Sequence, residues 1–70
     1  MKYAVILEHG KNNYSAYAPD LPGCVATGVT EEKALSLMRE AIALHLEDLK
    51  ATGQPVPQSS SLLREVEVCV

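Results

Sequence analysis

The stretch Tyr17-Ala18-Pro19-Asp20-Leu21-Pro22-Gly23-Cys24-Val25-Ala26-Thr27-Gly28-Val29-Thr30 decides the fold, because it ends one strand, turns the chain, forms another strand and starts a helix. Pro19 must end the first strand, since it has no amide hydrogen to give to a ladder. Pro22 and Gly23 suit the two central positions of a type II turn. Thr30 is a good N-cap for a helix whose first turn is acidic. The stretch predicts a strand, a turn, a strand and a helix in that order.

Patterns on both sides of this stretch complete the set of elements. Alternating apolar and polar residues predict strands, and Gly53 is a good residue to end the helix. Gly28 indicates a bulge or close packing. The predicted fold class is α+β, a two-layer β-β-β-α-β order in one domain, with a three-stranded antiparallel meander, one helix and a final strand. The predicted strands are 1–8, 14–18, 24–29 and 62–70, and the predicted helix is 31–52.

The helix carries two sets of apolar residues. Leu37 and Leu44 are one heptad apart and are expected to point nearly opposite the core stripe. Single exposed leucines are normal, so these two need no special role. The alternative is an oligomer interface or a partner contact, which the short chain favours. The stripe predicted to pack on the sheet consists of Leu35, Met38, Ile42, Leu46 and Leu49.

Size and charge limit the classes of function. A single core of 70 residues supplies little net stability, so a homo-oligomer, a dimer or tetramer, is expected. The net charge of -3 argues against direct nucleic-acid binding and favours a basic protein partner, although mild acidity is also ordinary for a solvated surface. No signal peptide or membrane span is recognisable, so a cytoplasmic protein without membrane contact is expected. Cys24 and Cys69 lack metal-ligand spacing and are expected to be small apolar side chains.

No catalytic, cofactor or metal site is predicted. Glu8 and Asp20 are not expected to converge with other carboxylates, and neither His9 nor His45 has a matched nucleophile. Asp20 is expected to accept hydrogen bonds from the amides of the Pro-Gly turn, with contact to a basic partner residue as the alternative.

The motifs occur in the order typical of a known family. The tyrosine strand followed by Pro-Asp-Leu-Pro-Gly-Cys resembles the signature of HicB antitoxins, the antitoxin half of a bacterial and archaeal toxin–antitoxin pair. Thr27-Gly28-Val29-Thr30, Glu31-Glu32-Lys33-Ala34 and Glu40-Ala41-Ile42 follow as they do in that family, so the resemblance covers nearly the whole chain. Family members commonly continue into a DNA-binding module, whereas this sequence stops at Val70, so promoter binding is not expected.

The resemblance implies a truncated ribonuclease-H-like layer and a protein-binding function. The chain would neutralise a small basic HicA-type toxin, an mRNA-cleaving ribonuclease, by covering its active surface. The alternative is an orphan homo-oligomeric scaffold that binds a ligand or another protein without any toxin. A metal-dependent nuclease is a third class, which the scattered carboxylates disfavour. The positions expected to shape the motif loop or contact a partner are Tyr17, Pro19, Asp20, Leu21, Pro22, Gly23 and Cys24.

Overall fold

The structure, a computed structural model, describes residues 1–69. Three strands precede one long helix, as predicted: β1 (Ile6–His9), β2 (Tyr14–Tyr17), β3 (Val25–Gly28) and α1 (Glu31–Ala51). The strands form an antiparallel sheet in the order β1-β2-β3, and the helix packs chiefly against β3 and β2. The α+β class and the meander are therefore confirmed.

The register of the sheet separates a core face from an outer face. Leu7 pairs with Ala16, and Ala16 pairs with Ala26, so these three residues form a row beneath the helix. The neighbouring row, Ile6–Tyr17–Val25, lies on the opposite face, because side chains alternate along each strand. One face of the sheet is thus covered and the other is open.

The first strand is shorter than predicted. Its pairing begins at Ile6, which lies opposite Tyr17, the last residue of β2. Residues before Ile6 would have to pair beyond that end, where Pro19 has no amide hydrogen to donate. Tyr3 and Val5 nevertheless pack against the core, although their backbone is unpaired.

The two predicted glycine roles are confirmed by geometry. Gly23 has a φ of 83°, and the Cys24 amide donates to the Leu21 carbonyl at 3.1 Å, as in a type II turn. Gly28 lies against the start of the helix, where an added Cβ would be 2.6 Å from the Ala34 nitrogen. Close packing, one of the two readings for Gly28, is therefore the correct one.

Both ends of the helix are capped. The Thr30 hydroxyl accepts from the Lys33 amide at 3.1 Å, which confirms the predicted N-cap. At the other end, Gly53 has a φ of 73° and donates to the Lys50 carbonyl, while the Gln54 amide donates to the Leu49 carbonyl at 2.9 Å. This pair of bonds is a Schellman motif, which satisfies two free carbonyl groups.

The buried face of the helix differs from the predicted stripe. It is centred on Ala34 and Met38, which are 0% and 1% exposed, whereas Leu35 is 40% exposed. Leu35 lies about 100° around the helix from Ala34, at the margin of this buried face, because the helix has 3.6 residues per turn. The partly buried Ile42 and Leu46 pack as predicted. The buried core consists of Ala16, Ala18, Leu21, Cys24, Ala34 and Met38.

The predicted final strand is wrong over residues 62–69, and Val70 lies outside the described residues. Leu62, Leu63, Val66 and Val68 are all more than 70% exposed. A strand needs a neighbour for its backbone hydrogen bonds, and within residues 1–69 none lies beside this segment. The alternating pattern alone therefore does not produce a strand here.

Candidate partner-binding surface

The turn between β2 and β3, residues 18–24, divides the predicted motif residues into two groups. Leu21 is fully buried and Cys24 is 6% exposed, so both belong to the core. In contrast, the outward-facing residues are available to another molecule. These are Tyr17, Pro19, Pro22 and Gly23.

Asp20 binds a part of the chain that is distant in sequence, namely Ser60 and Ser61. Its carboxylate accepts from the backbone amides of Ser60 at 3.0 Å and Ser61 at 3.1 Å. It also accepts from the hydroxyl groups of Ser60 at 3.0 Å and Ser61 at 2.9 Å. The expectation that Asp20 binds the amides of its own Pro-Gly turn is therefore wrong, because the amides it accepts from lie 40 and 41 residues further along the chain.

These hydrogen bonds change the acidity of Asp20. The Ser61 amide has the largest effect, and together with the Ser61 hydroxyl and Ser60 it lowers the pKa of the carboxyl group below its ordinary value. The reason is that each donor stabilises the ionised form. Asp20 thus stays a carboxylate and an acceptor at neutral pH.

The connector between the helix and the C-terminal segment, residues 54–61, has a second attachment point. The hydroxyl group of Tyr3 donates to the Pro57 carbonyl at 2.5 Å, and Val56 and Pro57 are partly buried. The connector thus passes from the segment before β1 to the loop after β2. The connector thus covers the end of the sheet where β1 begins and β2 ends.

The two cysteines have different environments. Burial raises the pKa of the Cys24 thiol, so it remains protonated and inert, as expected for a small apolar side chain. Cys69 is a free and exposed thiol.

A shallow groove joins the motif loop to the helix. Gly23 and Val25 form one wall, and Leu44, His45 and Asp48 form part of the other. Leu37 and Leu44 are 45% and 66% exposed. They lie on the flank of the helix beside its buried face, not nearly opposite it, because that face is centred on Ala34 and Met38.

The open face of the sheet extends the apolar part of this surface. Val25 pairs with Tyr17, and the two side chains are 66% and 36% exposed. We define the motif surface as Tyr17, Pro19, Pro22, Gly23, Val25 and Leu44. A continuous exposed apolar area with polar residues around it is typical of protein–protein contacts.

The remaining candidate residues have local roles. His9 stacks on Tyr14 with ring centroids 4.3 Å apart and an interplanar angle of 4°. Among residues 1–69, no three His, Cys, Asp or Glu side chains come together as a metal-ligand set. In the same residues, no helix has both the length and the apolar character needed to cross a membrane.

Sequence reasoning missed two parts of this arrangement. Ser60 and Ser61 read as an ordinary polar loop, and nothing in their spacing indicates a carboxylate 40 residues away. The sequence predicts Val25 as a strand residue and not as an exposed contact. Its alternation with Ala26 was the available signal, because it places Val25 on the face opposite the core.

Comparisons with known proteins agree with the sequence motifs. Residues 3–68 match the family model described as a HicB-like antitoxin of a bacterial toxin–antitoxin system. No solved structure gives a significant match to the chain.

Relatives of similar length occur in distant organisms. A UPF0150 protein of Helicobacter pylori is 46% identical over 64 residues, which are 90% of this chain and 89% of the relative. A UPF0150 protein of Synechocystis sp. is 38% identical over 69 residues, 97% of this chain and 87% of the relative. A third, of Thermoplasma acidophilum, is 36% identical over 62 residues, 87% of this chain and 90% of the relative.

Proposed function

This chain belongs to the HicB-like antitoxin family, and from that membership we propose that it neutralises a small basic toxin of the HicA type by covering the toxin's RNA-binding surface. The observation that carries the proposal is the family match, which spans all four elements from Tyr3 to Val68. The action would be occlusion, with no chemical step performed by the antitoxin.

Charge supports this choice of partner. A toxin that cleaves mRNA must attract phosphate groups and therefore presents a positive surface. This chain has a net charge of -3 and an acidic first helical turn formed by Glu31 and Glu32. Opposite charges on two proteins raise their association rate, while buried apolar contacts lengthen the life of the complex.

The motif surface supplies the apolar contacts in this proposal. Tyr17 is the largest side chain in it, and rigid aromatic residues contribute strongly to protein–protein binding. Val25 and Leu44 flank it on the open sheet face and on the helix. Leu21 and Cys24 support the loop from inside, and Asp20 holds the connector beside it.

We also propose that this α+β layer is a truncated ribonuclease-H-like unit that is used for binding and not for catalysis. The sheet order and the helix packed across one face support this relationship. Glu8 is exposed near the end of β1, whereas the Asp20 carboxylate accepts hydrogen bonds from Ser60 and Ser61. The two carboxylates therefore have different environments.

Co-expression with a candidate toxin tests the proposal. The candidate is any small basic protein whose gene lies beside the gene of this chain. Its expression alone should stop growth of a test bacterium, and expression of this chain should restore growth. Normal growth with the neighbour alone, or arrest that this chain does not relieve, would favour the orphan scaffold.

A pair of matched variants tests the motif surface. Val25→Lys places a positive charge within the surface and should abolish growth rescue. Thr27→Lys is the control, because Thr27 lies in the same strand, faces the same side and is also exposed. Equal rescue by both variants would place the toxin contact elsewhere.

A further inference from the structure

The C-terminal segment, residues 62–69, has the sequence of a strand and no neighbour. Val66 and Val68 alternate with Glu65 and Glu67, and the two valines are 81% and 71% exposed. Among the described residues, this segment makes no backbone–backbone hydrogen bond. Such a segment can complete a sheet edge, where main-chain bonds and alternate side chains provide the binding.

The dimensions of the chain agree with the exposure of this segment outside the compact body. The radius of gyration is 13.8 Å, whereas a compact chain of this length has about 11 Å. The longest extent is 48 Å, which exceeds the roughly 32 Å length of the 21-residue helix at 1.5 Å per residue.

An incomplete sheet edge exists at β1. Residues 6–9 pair with β2 on one side, and residues 1–5 are unpaired although Tyr3 and Val5 face the core. The helix packs mainly over β3 and β2, so the space beside this edge is open. An edge strand of this kind is a ready template for another strand.

An apolar cleft of about 440 Å³ lies beside this edge, between residues 1–5 and the helix. Tyr3, Val5 and Ile42 contribute its apolar lining, together with Leu35, which is 40% exposed. A strand laid along the β1 edge would place every second side chain over this cleft. Valines at alternate positions fit that requirement.

Charge distinguishes this edge from the rest of the molecule. Lys2 and Arg39 line the cleft, and no acidic residue does. The segment 62–69 carries Glu65 and Glu67 on the face opposite the valines, with Arg64 before them. Both charged residues of the cleft lining are thus basic, and the segment carries acidic residues beside its valines.

The connector directs the segment away from its own β1 edge. Pro57 is held by Tyr3 beside the β1 edge, but Ser60 and Ser61 are then held by Asp20 beyond the end of β2. The chain therefore crosses from the β1 side to the β2 side before residue 62. Residues 62–69 leave the body from there and form no backbone hydrogen bond with their own β1, which leaves this edge open to a second molecule.

We propose that residues 62–69 of one copy add as a strand to the β1 edge of a second copy, with Val66 and Val68 in its cleft, so that two chains exchange their C-terminal segments. The arrangement is reciprocal, as a two-fold dimer requires. It does not depend on the toxin proposal, because the exchange occurs in the chain alone.

The mass of the purified full chain in solution tests the exchange. Light scattering after size exclusion should give at least twice the 7.6 kDa chain mass. Val66→Lys with Val68→Lys should halve that mass, because lysines would face Lys2 and Arg39 in the cleft. The matched control, Gln58→Lys with Ser59→Lys, adds the same two charges to exposed residues of the connector and should keep the wild-type mass. A monomeric wild-type chain, or an unchanged mass for the lysine variant, would overturn the proposal.

Cross-linking between two pools of chains distinguishes exchange from folding back. Both pools carry Cys69→Ser; an untagged pool carries Ala4→Cys and a mass-tagged pool carries Glu67→Cys. After the pools are mixed, unfolded and refolded, a short bis-maleimide should join tagged to untagged chains. Replacing Ala4→Cys by Thr27→Cys moves the thiol to the β3 edge and should abolish the adduct. No adduct with Ala4→Cys, or a stronger adduct with Thr27→Cys, would contradict addition at the β1 edge.

Discussion

Asp20 determines where the connector lies, because one carboxylate accepts hydrogen bonds from two amides and two hydroxyl groups. Its two neighbours in the motif, Pro19 and Leu21, fix the loop by a different means. Pro19 ends the ladder, and Leu21 fills the core. The same short motif therefore joins the sheet, the core and the connector, which gives it a structural role beside any contact with a partner.

Replacement of Asp20 should release the connector. In Asp20→Ala, amide exchange of Ser60 and Ser61 should rise towards the rates of an unstructured peptide, because both amides lose their acceptor. Asp48→Ala is the control and should leave both amides protected. NMR-detected exchange provides the measurement, and unchanged protection in Asp20→Ala would show that other contacts hold the connector.

The same attachment should depend on pH in one direction. The folded pKa of Asp20 lies below its ordinary value of 3.8, so its stabilising effect is fully present above that value. The effect is lost as the pH falls through the lowered pKa. The amide shifts of Ser60 and Ser61 should titrate together with a midpoint below 3.8. A midpoint at or above 3.8 would contradict this account.

Gly28 should tolerate no side chain. In Gly28→Ala the new Cβ meets backbone atoms of the first helical turn, and overpacking of this kind costs about 1–3 kcal/mol. Gly23→Ala is a useful comparison, because it has free space but a φ of 83°, and the left-handed conformation costs about 1–2 kcal/mol there. Urea unfolding measures both, and a neutral Gly28→Ala would show that the helix can move away from β3.

At the scale of elements, the helix has one face for the core and one flank for contacts. Its ends are well defined because Thr30 caps the first turn and Gly53 closes the last. Between them, Met38 is the largest buried side chain of the helix. Leu37 and Leu44 form an exposed flank beside it, which we propose as a second contact surface between copies.

Charges on that flank should reduce the oligomer. Leu37→Lys with Leu44→Lys should lower the mass measured by light scattering and leave the circular dichroism spectrum largely unchanged, because both side chains are already exposed. Ser36→Lys with Ala43→Lys is the matched control, since these two exposed residues are also one heptad apart. Equal masses for the two double variants would exclude this flank as an interface.

The sequence predicts some elements well and others poorly, for physical reasons. Turn and cap residues act locally, so the type II turn at Gly23 and the helix ends at Thr30 and Gly53 were predictable. Strand lengths depend on the neighbouring strand, so the start of β1 at Ile6 was not. The segment 62–69 is the extreme case. Its pattern predicts a strand, but the strand that we propose as its partner is β1 of a second copy. The link between Asp20 and Ser60 was likewise invisible, since it joins residues 40 positions apart.

At the scale of the whole molecule, the described residues include more exposed large apolar side chains than buried core residues. Six residues form the buried cluster, whereas eleven large apolar side chains are exposed among the described residues. Small domains commonly gain stability through association. Eight of the eleven fall into three regions, namely the motif surface, the Leu37–Leu44 flank and the C-terminal segment, while Met1 and Leu35 line the cleft beside β1 and Val29 precedes the helix. Two distinct interfaces between copies would build a tetramer in which Leu44 lies at a contact between copies, while Tyr17 and Val25 of the motif surface stay free for a toxin.

Association with a basic toxin should weaken as salt is added. The net charge of -3 attracts a positive partner over about 10 Å at 0.1 M ionic strength, and added salt shortens this distance. The association rate should therefore fall with salt more steeply than the dissociation rate rises. Stopped-flow mixing measures the two rates separately, and an association rate independent of salt would argue against charge as the attracting force.

The most direct measurement adds increasing amounts of this chain to the purified candidate toxin of the co-expression test. RNA cleavage by the toxin is the quantity measured. The account predicts that cleavage falls linearly to zero at a fixed stoichiometry, that Thr27→Lys behaves like the wild-type chain, and that Val25→Lys does not inhibit. Cleavage that continues unchanged in the presence of excess chain, with no complex detected by light scattering, would contradict the antitoxin function.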